Sequence, residues 1–221
     1  ERFQEVFGTA DFTIDHVDGG DTFLLLLDPD DGEALAADSI VGLGFQEVID
    51  VDLGPGDRFA HVGRFDESLD AGAFTLAGGA EYGGYLLVYD DFQQPAWGKS
   101  FGSGDSYATS VAFDADGNIW VTGMFRESID FGFGPETVPI PMGTNVFVAK
   151  WDADGDLLFR HIAAQPDDGG SAYAFYDGWR RLDVDGDGHA WLISYFSEAL
   201  ALGPGLRSAG QQDVFVARIA P

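Results

Sequence analysis

The stretch Phe147-Val-Ala-Lys-Trp-Asp152 decides how this chain is read, because it occurs again and again. Phe23-Leu-Leu-Leu-Leu-Asp28, Tyr85-Leu-Leu-Val-Tyr-Asp90 and Phe215-Val-Ala-Arg-Ile219 are versions of the same element, and the four copies are separated by 62, 62 and 68 residues. Recurrence at a fixed period of this length marks a repeat architecture. Twelve positions after each of the first three aromatic starts stands a large apolar residue, Leu35, Trp97 and Phe159. A second element keeps the same period as Phe59-Ala-His-Val-Gly-Arg-Phe65, Ile119-Trp-Val-Thr-Gly-Met-Phe125 and Ala190-Trp-Leu-Ile-Ser-Tyr-Phe196, with a fainter copy ending at Phe7.

Each period reads as four short strands rich in β-branched and aromatic residues, closed by turns of Asp, Gly, Asn and Pro. In the clearest unit they are expected at Ser106–Asp114, Asn118–Phe125, Asn145–Asp152 and Asp156–Ala163. Asp114-Ala-Asp116-Gly117-Asn118 and Asp152-Ala-Asp154-Gly155-Asp156 are hairpin connections, since Gly accepts the positive φ of a tight turn. No stretch holds a capped 3.6-residue apolar period, so helices are not expected. Four antiparallel strands per unit, repeated head to tail, describe an all-β protein of the β-propeller kind.

The middle unit, Gly104-Asp-Ser-Tyr-Ala-Thr-Ser-Val-Ala-Phe-Asp-Ala-Asp-Gly-Asn-Ile-Trp-Val-Thr-Gly123 with Phe147–Gly155, resembles the bacterial β-propeller repeat known as the SBBP repeat, with NHL-like hairpins. The resemblance runs through nearly the whole chain, weakening over Gly44–Arg64 and again before Asp21. It implies four-stranded blades and an extracytoplasmic location, secreted, periplasmic or at the cell surface, and brings no catalytic signature. One domain over residues 1–221 is expected, in units of about 1–43, 44–103, 104–164 and 165–221. With the strands of a blade named a to d from the inside, the order is b-c-d, then a-b-c-d twice, then a-b-c. That is fourteen strands in about four blades, two of them incomplete. The chain then forms either a ragged four-bladed ring or an arc of a larger one, and its unpaired terminal strands invite self-assembly or another chain. Glu1 in place of Met leads us to expect a processed chain or a piece of a longer one.

Composition narrows the function classes. Eleven Lys and Arg against 38 Asp and Glu give a net charge of −27, which repels phosphate backbones and anionic headgroups. Nucleic-acid binding is not expected, nor membrane insertion, as no apolar run approaches the roughly 20 residues of a spanning helix. Without cysteine there are no disulfides, thiolate metal sites or Cys nucleophiles. The 31 glycines suit a chain that turns often. An Asp-heavy, Lys-poor surface suits salty surroundings, although turns alone also favour Asp.

Strand alternation places the a–b and c–d hairpins on one face and the longer connections, 66–84, 126–144, 164–175 and 197–212, on the other. Long loops on a rigid scaffold are where binding concentrates. In the second of these, Phe131, Phe133, Pro139, Ile140 and Met142 are candidate anchors, with packing against the next blade as the alternative. Asp183, Asp185 and Asp187, at i, i+2 and i+4 before Gly188, form a candidate calcium loop. The later carboxylate is missing, since Ser194 and Trp191 occupy the places where one would fall, and Asp185–His189 aligns with the ordinary hairpin Asp114–Asn118. No cofactor other than this candidate ion is expected, and the four histidines do not cluster as zinc ligands would. The inner strands place Asp50, Ser110 and Arg181 at equivalent positions, and Asp52, Ala112 and Asp183 two residues on. Asp50 and Asp52 are therefore the weak candidates for a glycoside-cleaving acid pair. Trp97, Trp120, Trp151, Trp179 and Trp191 are either sugar-stacking platforms or core. The expected function is a noncatalytic binding scaffold that presents loops to a protein or glycan, with a polysaccharide hydrolase as the alternative.

Overall fold

The computed structural model describes residues 2–7, 10–15, 19–78, 81–92, 94–102, 105–138, 144–163, 181–196, 199–200, 206–207 and 213–220. Among them every regular element is a strand. The first unit holds β1 (Arg2–Phe7), β2 (Ala10–Asp15), β3 (Thr22–Leu27) and β4 (Ala34–Ile40). The second holds β5 (Gln46–Leu53), β6 (Phe59–Phe65), β7 (Ser68–Asp70), β8 (Thr75–Ala77), β9 (Gly83–Tyr89) and β10 (Pro95–Ser100). The third holds β11 (Ser106–Phe113), β12 (Ile119–Phe125), β13 (Ser128–Asp130), β14 (Pro135–Thr137), β15 (Asn145–Trp151) and β16 (Leu157–Ala163). The last holds β17 (Arg181–Val184), β18 (Ala190–Phe196), β19 (Ala199–Leu200), β20 (Leu206–Arg207) and β21 (Asp213–Ile219).

Two antiparallel four-stranded sheets run β5-β6-β9-β10 and β11-β12-β15-β16, and a three-stranded sheet runs β17-β18-β21. Strand order and boundaries in the sheet of the third unit follow the sequence reading closely. Three features depart from it. First, β1 pairs with β2, and β3 with β4, as two separate ribbons rather than one b-c-d sheet. The reason is local: a strand of matching length lies just beyond Phe7, and a hairpin closes with less loss of chain entropy than pairing with a more distant strand. Second, the 66–84 and 126–144 connections are not plain loops, because β7-β8 and β13-β14 fold as short ribbons within them, and β19-β20 does the same after β18. Third, pairing sets Ala36 opposite Leu26 as Trp97 is opposite Val88 and Phe159 opposite Lys150, so Leu35 is the bulge residue and not the partner of Trp97 in the repeat.

The repeat is exact where geometry is most demanding. Both β5 and β11 carry a bulge just before Asp50 and Ser110. Opposite it lie Gly63 and Gly123, where any Cβ would run into the carbonyl oxygen of Glu47 or Tyr107. The bulge kinks the edge strand and re-aims the side chains that follow it.

Sheets pack face to face in chain order. On β9, Leu86 and Val88 point forward onto Phe147, Ala149 and Trp151 of β15. On β15, Val146 and Val148 point forward onto Phe215, Ala217 and Ile219 of β21. Behind β9, Tyr85, Leu87 and Tyr89 receive Leu24 of β3, together with Ile40, Leu69 and Phe74. Alternation explains the pattern: successive residues of one strand serve the interfaces ahead and behind.

Candidate functional site

The edge strands β5, β11 and β17 lie side by side, and their polar residues meet. Ser110 Oγ donates to Asp50 Oδ2 at 2.6 Å and the Val111 N–H reaches the same oxygen at 3.2 Å. Arg181 Nη1 stands 3.4 Å from Asp50 Oδ1. The Phe113 N–H donates to Asp52 Oδ2 at 2.7 Å, and the Leu182 N–H donates to Ser110 Oγ at 3.2 Å. The expected equivalence of Asp50, Ser110 and Arg181 thus becomes a ladder linking three sheets. Each sheet offers an acceptor to backbone donors of the next. These carboxylates satisfy N–H groups that would otherwise be stranded at an inter-sheet seam, a structural use that competes with acid–base chemistry.

The hairpin aspartates work inward too. Asp114 Oδ1 accepts the N–H groups of Asp116 and Asn118 at 3.0 and 2.9 Å, while Lys150 Nζ lies 3.0 Å from Oδ2. Burial alone would raise the Asp114 carboxyl, but hydrogen bonds from Asn118 and Lys150 outweigh it and hold it below its ordinary value. Asp185 repeats the plan. Its Oδ1 accepts from the Asp187 and His189 N–H groups at 3.1 and 3.0 Å. Its Oδ2 takes the Trp191 indole N–H at 2.8 Å and faces Arg218 Nε at 3.4 Å. The indole N–H is the largest of the causes that hold the Asp185 carboxyl well below the usual carboxylate range.

The candidate calcium triad is rearranged by these contacts. Asp185, Asp187 and His189 bring ligand atoms within 4.8 Å of one another, whereas Asp183 is outside the group and accepts the Val184 N–H. The fit to calcium is poor. The ion takes six to eight oxygens, and here one donor is an imidazole, both Asp185 oxygens already accept hydrogen bonds, and Arg218 Nη2 lies 2.8 Å from His189 Nδ1.

The candidate anchors of the 126–144 connection divide. Phe131 is a core residue, packed on Phe101, Phe147 and Trp151, so for it the packing alternative holds rather than the anchor. Phe133, two residues on, is 75% exposed. Asp130 Oδ1 gathers the N–H groups of Gly132, Phe133 and Gly134 at 2.7, 3.1 and 3.0 Å, fixing the tip that carries it. Pro139, Ile140 and Met142 lie outside the described residues, as does Trp179. Trp120 and Trp151 are wholly buried, leaving Trp191 as the most open indole described.

Two further groups escaped the sequence reading. The Arg64 guanidinium sits 4.7 Å above Tyr82, 5.0 Å from Tyr107 and 5.5 Å from Phe45, with Nε 2.7 Å from Glu47 Oε2. His61 is fully buried between Tyr85 and Tyr89, with no hydrogen-bond partner on either ring nitrogen among the described residues. Desolvation pushes its pKa down to about 3. The ribbons had a visible signal, since Glu67-Ser-Leu-Asp70 and Glu127-Ser-Ile-Asp130 repeat at a spacing of 60 residues. Both glutamates take a positive φ, 51° and 55°.

Among the described residues no helix is long and apolar enough to cross a membrane. No protein-family model matches this chain, and no curated protein is significantly similar to it in sequence.

Proposed function

We propose that this chain is a noncatalytic, extracytoplasmic β-propeller, or an arc of one, that presents its loop face to a protein or glycan partner within a surface assembly. Support for the propeller comes from the shared line of inner strands and from sheets stacked in chain order, each forward face on the next sheet's back. The extracytoplasmic placement rests on the resemblance to SBBP repeats. The observation that carries a binding role over a hydrolytic one is a contrast in side-chain use. Asp50 and Asp52 are taken up by backbone donors of the neighbouring sheet, while Phe133 projects from a tip whose backbone Asp130 holds still. An aromatic side chain on a rigid loop is suited to be a binding anchor, because little freedom is lost on contact.

A glycan array and a surface-protein array probed with the purified chain test this. Phe133→Ser is expected to abolish the strongest signal while the far-ultraviolet circular dichroism stays as in the unsubstituted chain. Polysaccharide cleavage that disappears in Asp50→Asn and Asp52→Asn, with the fold intact, would reverse the conclusion in favour of the hydrolase.

A further inference from the structure

We infer that the interface between the ribbon β3-β4 and the sheet β5-β6-β9-β10 is an acid-operated latch, closed while His61 is neutral and released when its imidazole takes a proton.

Register sets His61 apart. The repeat aligns β6, β12 and β18, and pairing agrees: His61 lies opposite Leu87, Val121 opposite Ala149 and Leu192 opposite Ala217. Val121 and Leu192 are buried members of the apolar clusters behind their sheets. The fold therefore accepts an aliphatic side chain at this position, and at the first interface an ionisable one stands there instead.

His61 shares a strand face with Phe59 and Phe65, on the side of β6 that meets Leu24, Ile40 and Leu69. It is wholly buried, and neither ring nitrogen has a hydrogen-bond partner among the described residues. The ionisable groups on the packed elements offer it no relief. From β9, Tyr85 Oη donates to the Glu47 carbonyl at 3.3 Å, and the Tyr89 hydroxyl is itself buried and unpartnered. The Glu47 carboxylate of β5 holds Arg64, while Asp50 and Asp52 are turned to β11. Asp70 of β7 accepts the Gly72 N–H. Burial first, and then Asp38 of β4, raise the Tyr89 hydroxyl.

A protonated imidazole has no acceptor in these surroundings, and an uncompensated charge is driven towards water. Hydrogen bonds tie one end of the ribbon to the second unit. The Gln46 N–H donates to Gly20 O at 2.6 Å, and the Asp70 and Val41 N–H groups donate to each other's carbonyls at 2.6 and 3.2 Å. Further along, Leu24 meets the sheet through apolar contact. Opening therefore parts an apolar surface about a bonded end. A two-stranded ribbon by itself is marginal in water, so its own ladder loosens once it lifts.

Burial pushes the His61 pKa down to about 3, and in the open form it returns to 6.5. Acid therefore favours opening, by about tenfold per pH unit between those values. Asp38 has the opposite sign. Burial outweighs the Ser39 N–H and raises its carboxyl, so neutralising it favours the closed form.

Hydrogen exchange read by mass spectrometry, with rates corrected for the intrinsic effect of pH, tests the latch. Amide protection in β3 and β4 is expected to fall about tenfold between about pH 5.5 and about pH 4.5, while that of β12 and β15 holds. His61→Val and His61→Leu install the residues that the repeat itself uses at this position. In both, only the Asp38 effect remains, and protection of β3 and β4 should stay level or rise. Constant protection in the unsubstituted chain, an equal fall in both variants, or a fall shared by β12 and β15 would each overturn the inference. So would failure of both variants to fold, since the position would then require histidine for structure alone.

Discussion

The forward faces of β12-β15 and of β18-β21 are built from corresponding residues and meet different fates. Trp120, Val148, Lys150 and Asp114 lie buried, whereas their counterparts Trp191, Val216, Arg218 and Asp185 reach solvent. Local structure is the same in both. The hairpin closes from the Asp N–H to a carbonyl four residues on, Asp114 to Asn118 and Asp185 to His189. The cation lies over the indole in both, Lys150 at 5.0 Å from Trp120 and Arg218 at 5.8 Å from Trp191. What differs is the next sheet, which covers one face and not the other. A hairpin motif therefore folds from its own residues, but its energetic weight is set by the neighbour.

The sharpest way to break this comparison is paired truncation. Trp120→Ala is expected to cost about 3–5 kcal/mol in urea unfolding, the range for a buried aromatic lost from a core. Trp191→Ala should cost about 1 kcal/mol, nearer the range of surface changes. Equal losses would mean that the forward face of the last sheet is covered in solution.

Next in size is the hairpin carboxylate. Asp114→Ala leaves the Lys150 ammonium buried without its partner, a loss of about 3 kcal/mol. Asp185→Ala strands no buried charge and should do less. Because the Asp114 carboxyl lies below its unfolded value, its contribution is complete above about pH 4 and disappears as the pH falls through the folded-state value. Acid titration of stability in the unsubstituted chain and in Asp114→Asn should diverge only above that fall.

A third test concerns the first interface. His61 has a folded pKa of about 3 against 6.5 unfolded, so protons bind the unfolded chain more readily. Its neutral form favours the fold fully above pH 6.5, and that support declines by about 1.4 kcal/mol per pH unit as the pH falls towards 3. His61→Phe should remove this slope between pH 6 and pH 4 and match or exceed the original stability at pH 7. An unchanged slope would show that His61 finds a partner in solution.

The smallest effect is expected from calcium. With Asp185 accepting hydrogen bonds on both oxygens, excess calcium and a chelator should give the same melting temperature, and a rise with calcium would show that the hairpin rearranges around an ion.

Much of the strand plan was legible because it depends on short-range rules. Phe147–Asp152 alternates, Asp152–Asp156 turns, and the same text recurs, so strand, hairpin and order follow. The equivalence of Asp50 and Ser110 was legible for the same reason, through register. That Asp50 would accept from Val111 was not, because it depends on how near one bulged strand lies to the next sheet. Phe131 and Phe133 make the same point within three residues: identical side chains, one in the core and one in solvent. Nothing local distinguishes them until the ribbon turns on Asp130 and one ring is swung against Trp151. The first unit shows the reverse error, where a faint repeat at Phe7 carried less weight than the nearby strand at Ala10–Asp15.

By itself the amino-acid order determined an all-β chain, its hairpins, its period and the two rows of every repeated strand, since backbone pleating and turn chemistry act over a few residues. Tertiary structure alone decided which row is covered, which aspartate joins two sheets and which aromatic stays in water. Burial and hydrogen bonding between sheets depend on residues some sixty positions away, and no local pattern encodes what those residues will approach.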